Sequence, residues 1–185
     1  MISYDLFQGD SYDTLKNLSS RVEERNKYRL IITSPPYYNH RHYGEDPREI
    51  GQEHTSGLFI DRLVDIFAVC RDLLTEDGSL WIVIGDTRRK NGKLMVPHRI
   101  ALKLVGKGYR LREDIIWYKK NSIAGSSKDN FSQVYELILF LSKNEKSLRP
   151  ISPKMIKTVT DNKVIATIIF SCFLIIRAKK MIAQL

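Results

Sequence analysis

Short apolar runs alternate with longer amphipathic ones along this chain, and that alternation leaves few folds open. Residues 28–33 (YRLIIT), 79–84 (SLWIVI) and 134–142 (VYELILFLS) are rich in β-branched and aromatic side chains. They read as continuous apolar stretches, the pattern of strands buried in a sheet. Between the first two, residues 58–74 place Phe59, Leu63, Ile66, Phe67, Cys70, Leu73 and Leu74 on one helical face, and Asp77-Gly78 is expected to close that helix. Residues 14–27 carry Leu15, Leu18 and Val22 at helical spacing, and residues 98–107 read as a helix behind Pro97, a good first-turn residue. Gly106-Lys107-Gly108 then turns the chain into residues 109–118 (YRLREDIIWY). The expected fold class is α/β, with a mainly parallel sheet and an antiparallel hairpin of residues 115–118 and 134–142 at one edge.

Several function classes are set aside by what is missing. The longest apolar stretch, residues 164–176 (VIATIIFSCFLII), has thirteen residues. A membrane helix needs about 20, so a buried strand or short helix is expected there. The opening residues MISYDLFQGD do not read as a signal peptide, so a soluble cytoplasmic protein with no membrane partner is expected. Two distant cysteines, Cys70 and Cys172, form no disulfide framework, and His40, His42, His54 and His98 show no metal-ligand spacing, so no metal is expected.

The charge is unevenly placed. The chain carries 30 Lys+Arg against 21 Asp+Glu, a formal +9. Residues 88–120 hold eleven of the cations and two acids, which accounts for the whole excess. The cluster opens with Arg88, Arg89 and Lys90, directly after an apolar strand. Such a run is a solvated face or a phosphate-contacting one, because phosphates reward clustered Lys and Arg by counterion release.

Strand ends in α/β sheets are where ligands bind. Here one strand ends in Thr33-Ser34-Pro35-Pro36-Tyr37. Two prolines remove two N–H donors and leave carbonyl oxygens without competing donors beside them. A hydroxyl and a proline carbonyl can then accept the two hydrogens of one amino group, while Tyr37 offers a flat face for stacking a planar ring. The plain alternative is a proline-rich turn beside a core tyrosine.

In its context the motif resembles that of the permuted, beta-type DNA amino-methyltransferases, in the N4-cytosine group of restriction–modification systems. Residues 31–37 match their Thr-Ser-Pro-Pro-Tyr/Phe signature after an apolar strand. Gly9-Asp10-Ser11 followed by Leu15 resembles the family's opening segment, and residues 74–80 (LTEDGSL) its "L-x-x-x-G-x-L" turn. Residues 109–119 resemble the segment before its target-recognition region, and residues 136–143 the strand after it. The likeness covers residues 3–146, a Rossmann-like methyltransferase core, and leaves 147–185 as an atypical tail.

The resemblance implies methyl transfer from S-adenosylmethionine to the N4 amino group of a cytosine flipped out of duplex DNA. Ser34 and the Pro35 carbonyl, followed by Pro36, would bind the amino group, and Tyr37 would stack the ring. Asp10 and Thr33 would lie at the cofactor; for Asp10 the alternative is an ordinary helix-capping aspartate. Arg41 and His42, in a loop over the DNA, and Arg88, Arg89 and Lys90 would contact it. No cysteine nucleophile is implied, which leaves Cys70 to the core. The family's glycine-rich Asp-x-Phe-x-Gly-x-Gly-x-Thr segment has no counterpart here. The core is therefore expected to be incomplete, by truncation, frameshift or splitting, with a second subunit or dimer mate supplying that segment. Two other readings stay open. Adenine-N6 enzymes of this type usually carry Asp in place of Ser34, and a DNA-binding remnant without methyl transfer would keep the basic window alone. Enzymes using Asn-Pro-Pro-Tyr on glutamine or RNA place their glycine-rich strand before the motif, where this chain has too few residues.

Overall fold

A computed structural model describes residues 3–40, 42, 46–90, 92–120, 131–145, 165–169 and 174–179. In chain order these give β1 (Ser3–Gln8), α1 (Ser11–Ser20), a 3-10 turn (Val22–Glu24), β2 (Tyr28–Ser34), α2 (Ser56–Leu73) and β3 (Leu74–Ile84). There follow the two-residue strands β4 (Arg88–Arg89) and β5 (Gly92–Lys93), then α3 (Val96–Gly106), β6 (Arg110–Tyr118), β7 (Tyr135–Ser142), β8 (Ile165–Ile169) and β9 (Leu174–Lys179).

Seven strands form one sheet in the order β1-β9-β8-β2-β3-β7-β6, and β4 pairs with β5 apart from it. β2 runs parallel to both β8 and β3, while the other neighbours pair antiparallel. Strand directions follow from this: β1, β8, β2, β3 and β6 point one way, β9 and β7 the other. The expected edge hairpin is present as β6 and β7. The sheet is more mixed than expected: most strands share a direction, but reversed β7 and β9 are inserted among them, so only two neighbouring pairs are parallel. The apolar run 164–176 contains strand β8 and the start of antiparallel β9 in place of a single strand or short helix. Both join the sheet that residues 3–142 build.

Three further boundaries differ from expectation, each for a local reason. α1 begins at Ser11 behind the Asp10 cap and stops at Ser20, because Arg21 is extended at φ −82°, ψ 121°. Val22 therefore leaves the helical stripe and is 82% exposed. α2 ends at Leu73 when Leu74 turns extended, so Asp77-Gly78 lies inside β3. Gly78 is required there by close approach: a Cβ would sit 2.9 Å from the Thr75 carbonyl oxygen and 3.0 Å from that of Tyr28. β1 has no strand signal of its own in the sequence; its antiparallel partner is β9, almost the whole chain away.

One core holds the elements together. Leu15 and Leu18 of α1, Phe59, Leu63, Ile66, Phe67 and Cys70 of α2, and Ile100 and Leu104 of α3 cluster with Ile31, Leu80, Ile82, Leu139 and Leu141 of the sheet. Each such side chain removed from water contributes about 1.5–3 kcal/mol. α2 starts cleanly because Thr55 Oγ1 accepts the Leu58 N–H at 3.2 Å. On the other sheet face Ile32, Trp81 and Phe140 stand in one cross-strand row, with Trp81 stacked on Phe140 at 4.3 Å between centroids. Among the described residues no helix is long and apolar enough to cross a membrane.

Candidate nucleic-acid methylation site

The strands that share a direction bring their carboxyl ends to one sheet edge. Gly9-Asp10 after β1, Ser34 at the end of β2 and Gly85-Asp86 after β3 all arrive there, and antiparallel β7 starts there with Tyr135 and Glu136. Ser34 is exposed while Pro35 and Pro36 are buried. The prolines thus wedge the segment into the fold and leave the hydroxyl at the surface. Thr33 lies one step back on the opposite face of β2, and its Oγ1 is buried without a hydrogen-bond partner among the described residues.

Tyr37 is half-buried and its ring packs on Gly85, where a Cβ would meet ring atom Cε2 at 3.0 Å. Burial and the neighbouring Glu136 carboxylate push the phenol well above its ordinary range, against smaller opposing contributions from Ser34 and the Gly85 backbone. His40 meets the Tyr37 ring edge-on at 6.0 Å. Glu136 also pairs with Lys119 at the end of the β6–β7 hairpin. One side of the motif is therefore tied to the far edge of the sheet.

The basic hairpin is tied to the other side. Thr87 Oγ1 donates to the Tyr38 carbonyl at 3.1 Å, and the Arg89 guanidinium lies 5.9 Å from the Tyr38 ring centroid. Arg88, Arg89 and Lys90 are exposed. Asp86 anchors the hairpin's base: its carboxylate accepts the N–H groups of Thr87 (2.9 Å), Met95 (3.1 Å) and Val96 (3.0 Å), so it also caps α3. This cap holds Met95 in a left-handed conformation at φ 56°.

The remaining residues singled out in the sequence are placed as follows. Asp10 Oδ1 accepts the Asp13 N–H at 3.0 Å and caps α1, while Oδ2 lies 4.0 Å from Arg62. Asp10 stands three strand spacings from Ser34, roughly 14 Å along the edge. It is not gathered into the Ser34–Tyr37 cluster. His42 is exposed and sits 3.7 Å from the Glu49 carboxylate, and Arg41 lies outside the described residues. Cys70 is fully buried in α2, where burial pushes its thiol up to about 12. Sequence reasoning misses Glu136 and Gly85 as site residues. The signal for Glu136 is a lone acid inside an otherwise apolar strand, YELILFLS; Gly85 carries none, since only the folded approach of Tyr37 makes its missing Cβ matter.

Comparison with known proteins gives the family and the fold. A 34% identical relative is the type II methyltransferase M.Cfr9I of Citrobacter freundii, aligned over 76% of this chain and 55% of its own length. A 35% identical one is the type II methyltransferase M.MwoI of Methanothermobacter wolfeii, aligned over 80% of this chain and 22% of its own length. The chain spans about half the length of the first of these, and less of the second. Among solved structures, the cytosine-N4-specific PvuII DNA methyltransferase superposes with a TM-score of 0.62 at 19% identity, over 87% of this chain and 55% of that one. A DNA modification methylase of Thermus thermophilus, solved with S-adenosyl-L-methionine, superposes with a TM-score of 0.58 at 22% identity, over 82% of this chain and 60% of that one. These likenesses show the fold, a Rossmann-like methyltransferase core. The family model of the N6/N4 type, described as DNA methylase, matches residues 28–169 from the motif strand through β8, and the chain belongs to that DNA methylase family.

Proposed function

We propose that this chain carries the base-binding half of a DNA methylase that transfers a methyl group from S-adenosylmethionine to the N4 amino group of a cytosine flipped out of duplex DNA. The observation that carries the reading is the exposed Ser34 at the sheet's carboxyl edge, followed by two buried prolines and a Tyr37 packed on Gly85. Ser34 Oγ and the Pro35 carbonyl accept the two amino hydrogens and turn the nitrogen lone pair away from the protein. Tyr37 stacks the extruded ring, an interaction worth about 1–3 kcal/mol. The donor, when bound, would supply an electrophilic sulfonium methyl to that lone pair. Of this chain's residues, Thr33 suits the donor side best, since its buried unpartnered hydroxyl can be satisfied by a polar ligand atom. Asp10 would reach the donor only with its second oxygen, the first being committed to α1. Residues 3–146 hold the base site in this reading.

Arg88, Arg89 and Lys90, with Arg41 and His42, contact DNA phosphates beside that site, supported by the hairpin's attachment to Tyr38. Cytosine is favoured over adenine by Ser34 itself and by the likeness to a cytosine-N4-specific fold neighbour. The test is methyl-label transfer to duplex DNA followed by nucleoside analysis. N4-methylcytosine as product supports the reading; N6-methyladenine would move it to adenine. Ser34→Ala should lower transfer by about 10²-fold with duplex affinity unchanged, and an unchanged rate would overturn the role of Ser34. Titration of S-adenosylmethionine onto the chain at low and at high protein concentration separates a donor site shared between copies from a self-contained one.

A further inference from the structure

The cations of residues 88–120 are not equivalent in the folded chain. Lys103 and Lys107 of α3 pair with Asp61 and Asp65 of α2, and Lys119 pairs with Glu136, so these charges are already balanced. Lys93 of β5 pairs with no carboxylate among the described residues. Its ammonium donates instead to the Tyr135 phenol oxygen at 3.0 Å. An ammonium has protons to give and no lone pair to offer, so the Tyr135 oxygen is the acceptor in this bond. The phenol's own proton meets no acceptor among the described residues and is left to be given. Arg88 stands directly opposite Lys93 in the β4–β5 hairpin. Paired residues point to the same face, and like charges placed so repel each other. An anion between them would turn that repulsion into attraction.

We propose that Lys93, Arg88 and the Tyr135 hydroxyl form an anion site that holds one backbone phosphodiester of the bound DNA. The inference rests on the reading that duplex DNA lies over the carboxyl edge of the sheet. Tyr135 opens β7 two strand spacings from Ser34, about 10 Å along that edge. A phosphate there receives the remaining Lys93 N–H groups, the Tyr135 O–H and the Arg88 guanidinium, which are all donors toward it. The hairpin that carries two of these groups is held at its base by Asp86 and closed by the Leu94 N–H donating to the Thr87 carbonyl at 2.9 Å. It leaves β3 and reaches both neighbouring strands: Tyr38, after β2, through Thr87, and Tyr135 of β7 through Lys93. A phosphate held on it therefore keeps a fixed relation to Ser34. Such a contact sets the register of the duplex and reads no sequence.

The test measures affinity of the full chain for a fluorescein-labelled duplex of mixed sequence, by anisotropy across a potassium chloride series. Lys93→Gln should lower the slope of log affinity against log salt by about 0.9, the share of one neutralised phosphate. Lys93→Arg should restore the slope, which separates lost charge from lost packing. Tyr135→Phe keeps the ring and removes only the hydroxyl. Its affinity should fall by about five-fold at an unchanged slope, since a hydrogen bond is lost but no charge. Lys103→Gln, in the same basic window but paired with Asp61, should leave both quantities as they are. A slope that Lys93→Gln does not move overturns the inference while the DNA reading stands. Equal falls in Lys93→Gln and Lys103→Gln overturn it too, because the charge then acts from the whole window and not from one site. A wild type without salt-dependent duplex binding overturns the DNA reading and the inference with it.

Discussion

Tyr37 is where local chemistry and long-range packing meet. Its ring has room only because residue 85 has no side chain, the hypothetical Cβ lying 3.0 Å from Cε2. Gly85→Ala therefore forces the ring or the strand end to move. The expected effect is about 1–3 kcal/mol of lost stability together with a fall in methyl transfer larger than any change in duplex affinity, read by thermal melting and single-turnover transfer. Equal transfer rates in the variant would show that ring placement does not matter. Cys70 gives the opposite kind of expectation. Its thiol is fully buried and pushed up to about 12, so the reactive thiolate is scarce at neutral pH. Iodoacetamide should label Cys70 only after denaturant is added, as followed by peptide mass spectrometry. Fast labelling of the native chain would contradict the packing of α2.

The element that joins chemistry to fold is the segment from the end of β3 to the start of α3. Asp86 accepts three backbone N–H groups there and fixes both the basic hairpin and the first turn of α3. Asp86→Ala should destabilise the protein by about 1–2 kcal/mol, a loss comparable to that of a side-chain helix cap, measured by urea unfolding. The hairpin itself should reveal its role in salt dependence. Removing Arg88 and Arg89 together should weaken binding to any duplex and lower the slope of log affinity against log salt by about two, near one per lost phosphate contact. An unchanged slope would return these residues to the status of a solvated face. Helix stripes and strand runs made α2, α3, β2 and β7 legible in the sequence, because each is decided by side chains close in the chain. The early end of α1 was not, since Arg21 turns extended there without a glycine or proline to mark the stop, its N–H bonding back to the Leu18 carbonyl.

At the scale of the whole molecule, Lys143, just past the carboxyl end of β7, ties that strand to the amino-terminal ends of β2 and β3. Its buried ammonium donates to Asn26 Oδ1 at 2.6 Å and to the Leu74 carbonyl at 2.9 Å, and pairs with Glu76 at 3.1 Å. Lys143→Met should destabilise by about 1–3 kcal/mol, because those acceptors lose their donor. The pH dependence follows from Glu76, whose carboxyl is held below its ordinary 4.5 chiefly by the Lys143 hydrogen bond. A depressed carboxylate pKa adds stability above the unfolded value, and that stability is lost as pH falls through the folded one. Melting temperature of the wild type should thus drop below about pH 4.5 in a step that Lys143→Met flattens; the same step in both proteins would exclude this pair as its source. The sequence by itself determined the α/β class, the motif strand ending in Ser34-Pro35-Pro36-Tyr37 and the family likeness, since apolar periodicity and a proline stop act over a few neighbouring residues. Only the tertiary structure decided that β7 and β9 run against the others, that β1 pairs with β9, and that Glu136 and Gly85 enclose Tyr37. Strand order and the meeting of residues 37, 85 and 136 depend on how separate segments share one buried sheet, and no local pattern encodes that sharing.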